Sequence, residues 1–271
     1  MTPRPALLLT LLIGFAIGGC TEEKADTGYA LVWQDEFEGP AGQLPDSTRW
    51  QFDLGTDWGN KQLEYDTNLP SNVSLDGEGN LAITARREKY KEQEFTSGRI
   101  KTKDLFEKTY GRFEARIKVP IGQGIWPAFW MLGENIDEVP WPACGEIDIL
   151  EYRGHEPLVL HGSIHGPGHA GGNAFTKRHT LEQGGFNLDF HEFAVEWEEN
   201  QITWFIDGVV YHTATPADLP AGSTWVYDHP YFILLNVAVG GGFPGSPDDT
   251  TVFPQTMLID YVRVYHKAPA E

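Results

Sequence analysis

The stretch CGEIDILEY, residues 144–152, has the apolar composition of a buried strand and yet contains three carboxylates. Side chains alternate between the two faces of a regular strand, so Glu146 and Asp148 share one face. Glu151 follows Glu146 by five residues and falls on the opposite face. One extra residue at Ile149–Leu150 returns it to the acidic face, because a β-bulge shifts the alternation by one position. The spacing therefore predicts a bulged strand that carries three acids on one face.

The same spacing predicts a chemical purpose for the two outer glutamates. With a bulge they are placed like residues i and i+4 of a strand, so their Cα atoms lie roughly 13 Å apart. Their side chains reach towards each other, which leaves the carboxylates on the order of 5–6 Å apart, close to the ~5–5.5 Å of retaining glycosidases. Asp148 lies between them and helps to separate their pKa values. The residues alone leave a calcium site and a solvated acidic face open as alternatives, although calcium prefers flexible loops.

Other segments of the chain have the alternation of half-buried antiparallel strands. In YGRFEARIKVP, residues 110–120, Phe113, Ala115, Ile117 and Val119 share one face, and the charged residues occupy the other. Similar patterns predict strands over NLAITARRE, EFAVEW, QITWFIDGVVYH and LIDYVRVYH, with a hairpin turn at ENQ, residues 199–201. YFILLNVAV, residues 231–239, predicts a strand covered on both faces. We therefore expect an all-β protein of two stacked antiparallel sheets.

Length and charge restrict the class of partner. A chain of 271 residues suits one large β domain or two small ones, and no linker or repeat divides the part after residue 28. The formal net charge of −19 disfavours nucleic acids and heavily sulfated glycans, but it permits a neutral substrate. We expect a monomer that binds no nucleic acid.

The N-terminus predicts export. Residues 1–19 combine the basic Arg4, an apolar run too short to span a membrane, and small residues, as in a signal peptide. The sequence IGGC before residue 21 resembles the lipobox of bacterial lipoproteins, so Cys20 is the expected lipidated residue and residues 20–28 a polar tether. The alternative is an ordinary cleaved signal with an incidental cysteine. We expect a cell-envelope lipoprotein held to the membrane only by its lipid, with Thr21 weakly favouring the outer membrane.

Two further groups have competing interpretations. Cys144 adjoins the acids, which would raise the pKa of its thiol, so a packed structural cysteine is favoured over a nucleophile. His161, His165 and His169 have the spacing of one helical face, as in some metal sites. The glycines and proline of HGSIHGPGHAGG exclude a helix there, which argues against a histidine metal site.

Beyond these inferences, residues 30–266 resemble family-16 glycoside hydrolases, in particular the bacterial laminarinase-like endo-β-1,3-glucanases. The motifs that carry the resemblance follow one another along the chain: WQDEF, WGNKQLEYDT, TSGRIKTKD, YGRFEARIKVP, GIWPAFWML, WPACGEIDILEY, SIHGPGH, DFHEFAVEW, WFIDG, NVAVGG and IDYVRVY. The resemblance implies a jelly-roll sandwich over residues 29–267, with the acidic strand on the floor of a concave cleft. It implies Glu146 as nucleophile, Glu151 as acid/base and Asp148 as the assisting acid, with no catalytic cofactor.

The resemblance and the chemistry of sugars together indicate further site residues. Aromatic rings stack on the apolar faces of sugars, and Trp126 and Trp130 are four residues apart, so they share a strand face. Asn60, Arg99 and His165 match positions that resemble the hydroxyl-binding polar residues of the family. Phe243 stands where many relatives have tryptophan, so it is expected to stack on a sugar but with altered subsite preference.

A structural calcium ion is also implied by the resemblance, away from the cleft. Asp260 matches the expected carboxylate ligand, and the backbone carbonyls near Glu38 and Gly79 are its expected partners. The alternative is that Asp260 is an ordinary strand-end residue.

The resulting functional hypothesis is a retaining endo-β-1,3-glucanase that acts on laminarin-type glucans, and on mixed β-1,3-1,4-glucans as a possible second substrate. A non-catalytic glucan-binding protein, a transglycosylase and an agarase-type galactan hydrolase on the same scaffold are the alternatives. The three intact acids argue against the binding protein.

Overall fold

The computed structural model describes residues 28–268 as a β-sandwich. The predicted signal peptide, Cys20 and nearly all of the predicted tether lie outside the described residues. Helical structure within the described range is limited to three 3₁₀ turns, Glu134–Asp137, Gly171–Asn173 and Pro216–Asp218. None of the helices in this range is of a length and apolarity to cross a bilayer.

The strands follow one another along the chain with short connections. In chain order they are β1 Tyr29–Asp35, β2 Gln51–Phe52, β3 Glu64–Asp66, β4 Val73–Leu75, β5 Leu81–Ala85, β6 Phe95–Ser97, β7 Arg99–Lys101, β8 Glu107–Lys108, β9 Gly111–Lys118, β10 Ile125–Gly133, β11 Glu146–Tyr152, β12 Val159–His165, β13 Phe175–Thr180, β14 His191–Glu198, β15 Gln201–Ile206, β16 Val209–Ala214, β17 Tyr231–Val239 and β18 Gln255–Lys267.

Two eight-stranded antiparallel sheets make up the sandwich, as expected from the strand patterns. The first has the order β16-β15-β14-β9-β18-β5-β4, with β1 paired to β18. The second has the order β13-β12-β11-β10-β17-β7-β2, with β8 paired to β17. Strands β3 and β6 form a small parallel pair beside them. The predicted all-β jelly-roll fold is thus confirmed, and the acidic strand β11 lies inside the second sheet.

The core lies between the two sheets. Phe113, Ala115 and Ile117 of β9 are fully buried, as their alternation predicts, and they belong to the same apolar cluster as Phe129 and Ile147 of the second sheet. Burying a large apolar side chain contributes about 1.5–3 kcal/mol, so this shared cluster holds the sheets face to face.

Strand β17 is buried along its whole length. All nine residues from Tyr231 to Val239 are shielded from solvent, as predicted from their almost entirely apolar sequence. The strand pairs with β10 through nine consecutive residues without a shift of register. It therefore forms a continuous support next to β10 and β11.

One predicted strand proved to be two. The segment QITWFIDGVVYH was predicted to be a single strand, but β15 and β16 form a hairpin that turns at Asp207–Gly208. Both turn residues have positive φ, 49° and 75°, as a type I′ hairpin turn requires. The Asp-Gly pair is a strong hairpin signal that the alternation of the flanking residues concealed.

We predict that Gly208→Ala destabilises this hairpin. A Cβ at residue 208 would meet no atom within 4 Å, so any effect comes from the positive φ rather than from a clash. Holding an alanine in that conformation costs about 1–2 kcal/mol, which corresponds to a melting temperature lower by roughly 2–8 °C. Thermal unfolding followed by circular dichroism measures the shift.

The matched control is Gly172→Ala. Residue 172 also has open space around its Cβ position, but its φ lies outside the left-handed region. An equal loss of stability in both variants would contradict the backbone explanation.

Candidate active site

The predicted bulge is present in β11, and it brings the three acids to one face. On one side Asp148 pairs with Trp130 while Leu150 pairs with Phe129, so Ile149 is the extra residue. On the other side Glu146, Asp148 and Glu151 pair with His165, Ser163 and His161 of β12. Those three partners are spaced by two residues and share a face. The sequence spacing of two and then three thus becomes two equal steps in space.

The register defines a row of residues across the second sheet. Glu151 of β11 pairs with Ala128 of β10, Ala128 with Asn236 of β17, and Asn236 with Arg99 of β7. Residues paired in this way project from the same face. Arg99 therefore lies on the face of the acids, three strands from Glu151, and the small Ala128 lies in the floor between them.

Burial and mutual repulsion alter the acids in different ways. The Asp148 side chain is 2% exposed, and burial, followed by the charge of Glu146, raises its pKa well above the ordinary value. Burial also raises the pKa of Glu151 well above its ordinary value, with the charge of Asp148 as the next cause. The Glu146 side chain is 18% exposed and accepts a hydrogen bond. Glu151 is therefore arranged to keep its proton, while Glu146, which is half-buried to a similar degree, is held by the hydrogen bond that it accepts.

Asp148 contacts Trp204 of the opposite sheet and His165 of the neighbouring strand. Its backbone carbonyl accepts a 2.7 Å hydrogen bond from Trp204 Nε1, which belongs to the opposite sheet. Its Oδ2 lies 3.0 Å from His165 Nε2, although the angle is too poor for a hydrogen bond. The acidic strand is thus tied directly to the other layer of the sandwich.

His165 reaches Asp148 and Glu146, His161 on the same strand as His165 lies beside Glu151, and His169 is hydrogen-bonded to the Tyr227 hydroxyl. His165 Nδ1 accepts a 3.0 Å hydrogen bond from the Gly171 N–H, which leaves Nε2 facing Asp148 and, at 3.9 Å, Glu146. In the described part of the chain, the one group of three His, Cys, Asp or Glu side chains close enough to share an ion is Glu146, Asp148 and His165. This group coincides with the acid cluster and does not contain the other two histidines.

Trp141 is a site residue that the sequence analysis did not single out. Its Nε1 donates a 2.7 Å hydrogen bond to Glu146 Oε2, and its ring lies 5.8 Å from that of His165. The side chain is half in solvent beside the acids, with 44% exposure. Its place five residues before Glu146 in the motif WPACGE was a usable signal, because an exposed indole beside a carboxylate is an effective donor.

The two predicted platform tryptophans lie on β10, next to the acidic strand, and both are half-buried. Trp130 donates a 2.8 Å hydrogen bond from Nε1 to Asn236 Oδ1. The Trp126 ring lies 5.1 Å from that of Phe243. The Trp126 N–H favours the ionised form of Glu151 but makes no well-directed hydrogen bond. The structure therefore brings both rings together with the acids.

Phe243 forms a side wall near Glu151. Besides Trp126, its ring contacts His161 at 5.1 Å and the Arg153 guanidinium at 4.1 Å. Asn60 lies beside the same loop, because its backbone carbonyl accepts a hydrogen bond from the Gly242 N–H, and its own side chain is exposed.

Arg99 is more enclosed than Asn60. Its Nε donates a 3.0 Å hydrogen bond to Asp53 Oδ2, and its guanidinium lies between the rings of Trp58 and Trp130 at 4.6 and 4.9 Å. Trp58 was quoted in the WGN motif but was not assigned a role from the sequence.

Glu38, Gly79 and Asp260, the predicted calcium residues, lie near one turn, but Asp260 forms an ion pair with Arg116. A Cβ on Gly79 would lie 4.0 Å from Glu38 Oε1, and the pairing of Leu81 with Ile259 places Asp260 beside the same turn. However, Asp260 Oδ2 is held at 2.6 Å by Arg116, which already supplies a positive charge there. The residues fit a calcium ion only in part, and this site stays a prediction.

Cys144 has the environment of a structural residue. It is fully buried, and burial, followed by the charge of Glu146, raises the pKa of its thiol to about 11. A thiol that stays protonated at neutral pH is a poor nucleophile.

Comparison of the sequence and the fold with known proteins identifies the family of this chain. The model of the Glycosyl hydrolases family 16 matches residues 54–263. The chain belongs to this family of glycoside hydrolases. It is 37% identical over 279 residues to a beta-glucanase of Rhodothermus marinus, an alignment that covers 98% of this chain and 95% of the relative.

Two solved structures of the family superimpose on most of the chain. The laminarinase catalytic domain of Thermotoga maritima has a TM-score of 0.84 and 44% identity, and the match covers 90% of this chain and 99% of that one. The endo-beta-1,3-glucanase of Pyrococcus furiosus has a TM-score of 0.83 and 45% identity, with 88% and 94% covered. The family membership and the fold thus rest on nearly the whole length of the chain.

We predict that Trp141→Phe lowers the hydrolytic rate of this glycoside hydrolase. The change removes the donor to Glu146 Oε2 while keeping an aromatic ring. A hydrogen bond to a charged group contributes about 1.5–3 kcal/mol, so its loss corresponds to a rate lower by roughly 10- to 100-fold. Steady-state hydrolysis of a soluble β-glucan measures it.

Trp225→Phe is the matched control, since the indole N–H of Trp225 is buried without a hydrogen-bond partner. If the two variants lose the same activity, loss of ring volume rather than loss of the donor explains the effect.

Proposed function

We propose that this protein is a retaining endo-β-1,3-glucanase that hydrolyses laminarin-type glucans by double displacement. The observation that carries the proposal is the bulge in β11, which puts Glu146 and Glu151 two equal steps apart on one face with Asp148 between them. Two carboxyls at that separation suit one nucleophile and one acid/base on the same side of a sugar ring.

The environments of the two glutamates assign the roles. Glu146 is partly solvated and accepts the Trp141 N–H, so its carboxylate attacks the anomeric carbon and forms the covalent glycosyl-enzyme. Burial raises the pKa of Glu151, so it holds a proton that it gives to the leaving glycosidic oxygen. The resulting Glu151 carboxylate then takes a proton from water, which attacks the anomeric carbon and releases Glu146.

Asp148 and His165 organise the nucleophile. The charge of Glu146 opposes ionisation of Asp148, and a charge on Asp148 would in turn oppose ionisation of Glu151. His165 places Nε2 at the edge of this group, where it can donate to a sugar hydroxyl or to the acids. The reaction uses these side chains and water, and no step needs a cofactor.

The cleft suits a neutral glucan. Trp126, Trp130 and Phe243 offer apolar rings for stacking, and the formal charge of −19 repels sulfated chains. The names of the relatives, a beta-glucanase, a laminarinase and an endo-beta-1,3-glucanase, support β-1,3-glucan as the substrate. We propose mixed β-1,3-1,4-glucan as a second substrate.

We predict that laminarin hydrolysed by a chain lacking residues 1–28 yields β-anomers first. Two inversions at the anomeric carbon restore its configuration, and proton NMR of the anomeric signals during the first minutes records this. Early α-anomers would show a single displacement, in which water activated by Glu146 attacks the anomeric carbon while Glu151 protonates the leaving oxygen, and would refute the covalent intermediate.

Glu151→Gln is the control for this experiment. It cannot donate the proton, and we expect hydrolysis of laminarin to fall by about 10²–10⁴-fold. If the unsubstituted protein does not hydrolyse laminarin, laminarin is not the substrate, and another polysaccharide must be tested.

We also propose that the protein is an exported lipoprotein of the cell envelope, anchored through Cys20. The support is the order of Arg4, an apolar run and IGGC in residues 1–20. We predict that a fatty-acid analogue fed to an expressing bacterium labels the protein, and that Cys20→Ser abolishes the label and moves the protein to the soluble fraction. Labelling of the Cys20→Ser variant would contradict the anchor.

A further inference from the structure

A strained loop carries Trp58 to the Arg99 guanidinium, on the side of the second sheet away from Glu151. Asp57, Trp58 and Lys61 all have positive φ, with 33° at Trp58. A bulky side chain rarely adopts this backbone conformation, and it persists only where surrounding contacts hold it. The contacts of Trp58 therefore indicate what the strain maintains.

One of these contacts is a buried carboxylate that the proposed reaction does not use. Trp58 Nε1 donates a 2.8 Å hydrogen bond to Asp66 Oδ2. Asp66 is 1% exposed, and its other oxygen, Oδ1, is buried without a partner. Its backbone exchanges two hydrogen bonds with Gly55, which fixes the side chain beneath the loop.

The other contact of Trp58 leads to the predicted sugar-binding surface. The Arg99 guanidinium is stacked between the rings of Trp58 and Trp130. Since Asp53 takes the Arg99 Nε–H, contacts to sugar hydroxyls fall to its two terminal nitrogens. Arg99 lies three strands from Glu151, roughly 14 Å at the usual strand spacing.

Burial and the neighbouring charges shift the pKa of Asp66 into the neutral range. Burial raises the pKa of Asp66 to about 7, the Arg99 charge and the Trp58 hydrogen bond oppose this rise, and the charge of Asp53 adds to it. The neighbouring Glu64 is also buried and accepts the Val239 N–H, and burial, followed by the charge of Asp66, raises its pKa well above the ordinary value.

Ionisation of Asp66 has opposite effects on folding stability and on the hydrogen bond with Trp58. Because the pKa of Asp66 is higher in the folded than in the unfolded chain, its contribution to stability is lost as pH rises towards 7. The ionised carboxylate is thus unfavourable for the fold, yet it makes the stronger, charge-assisted bond to Trp58 and attracts Arg99. An amide at this position would remove the cost to stability and weaken that bond.

We propose that Asp66 is a positioning residue, whose buried carboxylate holds the strained Trp58 against Arg99 and thereby orders the distal sugar-binding surface of Arg99 and Trp130. This rests on the proposed glucanase function. Ionisation of Asp66 tightens the binding of substrates long enough to reach Arg99, and it leaves the chemistry at Glu146 and Glu151 unchanged.

The test compares Asp66→Asn with the unsubstituted protein between pH 6 and pH 8.5, with laminarihexaose and laminaritriose as substrates. For laminarihexaose we expect the KM of the unsubstituted protein to fall by roughly three- to tenfold as pH passes 7, and the KM of Asp66→Asn to lack this step. We expect kcat to be equal in both, and Asp66→Asn to unfold at an equal or higher temperature above pH 7. Laminaritriose places at most two glucosyl units on either side of the cleaved bond, so its KM should show no step.

Two variants sharpen the comparison. Trp58→Phe removes the donor of the same hydrogen bond, so it should abolish the same step in KM, and the double variant should add nothing further. Asp249→Asn makes the same chemical change at an exposed position and should retain the step.

Each remaining outcome overturns the inference. A KM step that persists in Asp66→Asn, or a loss of stability and kcat without a KM effect, would show that Asp66 only supports the fold. Hydrolysis of both substrates with no KM step in the unsubstituted protein would refute the inference but not the glucanase function. Failure to hydrolyse either substrate would refute both.

Discussion

A single extra residue in one strand is the constraint on which the site depends. Without the bulge at Ile149, the alternation of β11 would direct Glu151 into the apolar core, where an ionisable group has no partner. With it, all three acids share the face of the sheet away from the core, while Ile147, Ile149 and Leu150 remain buried in the core. The strand thus satisfies two demands at once, because the same displacement completes the catalytic group and keeps the sandwich packed.

The surrounding structure compensates for the repulsion that this arrangement creates. Trp141 donates to Glu146, and His165 lies against Asp148. Trp204 fixes the Asp148 backbone from the opposite sheet. These contacts come from a loop, a neighbouring strand and the other layer, so the acids are held by the whole sandwich rather than by β11 alone. Close carboxyls with raised pKa values are unfavourable for stability, and their retention is typical of sites that use proton transfer.

The strand faces and the bulge were predictable from the sequence because period-two alternation is a local property. The bulge, the one-sided burial of Phe113 and Ile117, and the burial of β17 on both faces all follow from it. The family resemblance added the jelly-roll fold. The hairpin at Asp207–Gly208 was missed because apolar residues continue on both sides of the turn, although the Asp-Gly pair was a local signal.

The contacts that depend on long-range pairing were not predictable in the same way. The approach of Arg99 to Trp130 is set by strand order in the second sheet, and that of Asp66 to Trp58 by the bridge between β3 and the loop at Gly55, neither of which alternation specifies. The hydrogen bond from Trp141 to Glu146 depends on the path of the loop before β11. For Asp260, the position along the strand indicated a metal ligand, but the ion pair with Arg116 comes from the adjacent β9.

The complete burial of β17 has a consequence for the chain before it folds. Nine consecutive residues, YFILLNVAV, carry no charge and no proline, which is the composition of segments that self-associate as cross-β structure when exposed. In the native sandwich the strand is covered on both faces and paired at both edges by β10 and β7 with β8. Pro230 precedes it and Gly240, Gly241 and Gly242 follow it, and these residues limit extension of the β-prone segment. The strand beneath the cleft is therefore also the segment that the unfolded chain must keep from pairing with its neighbours.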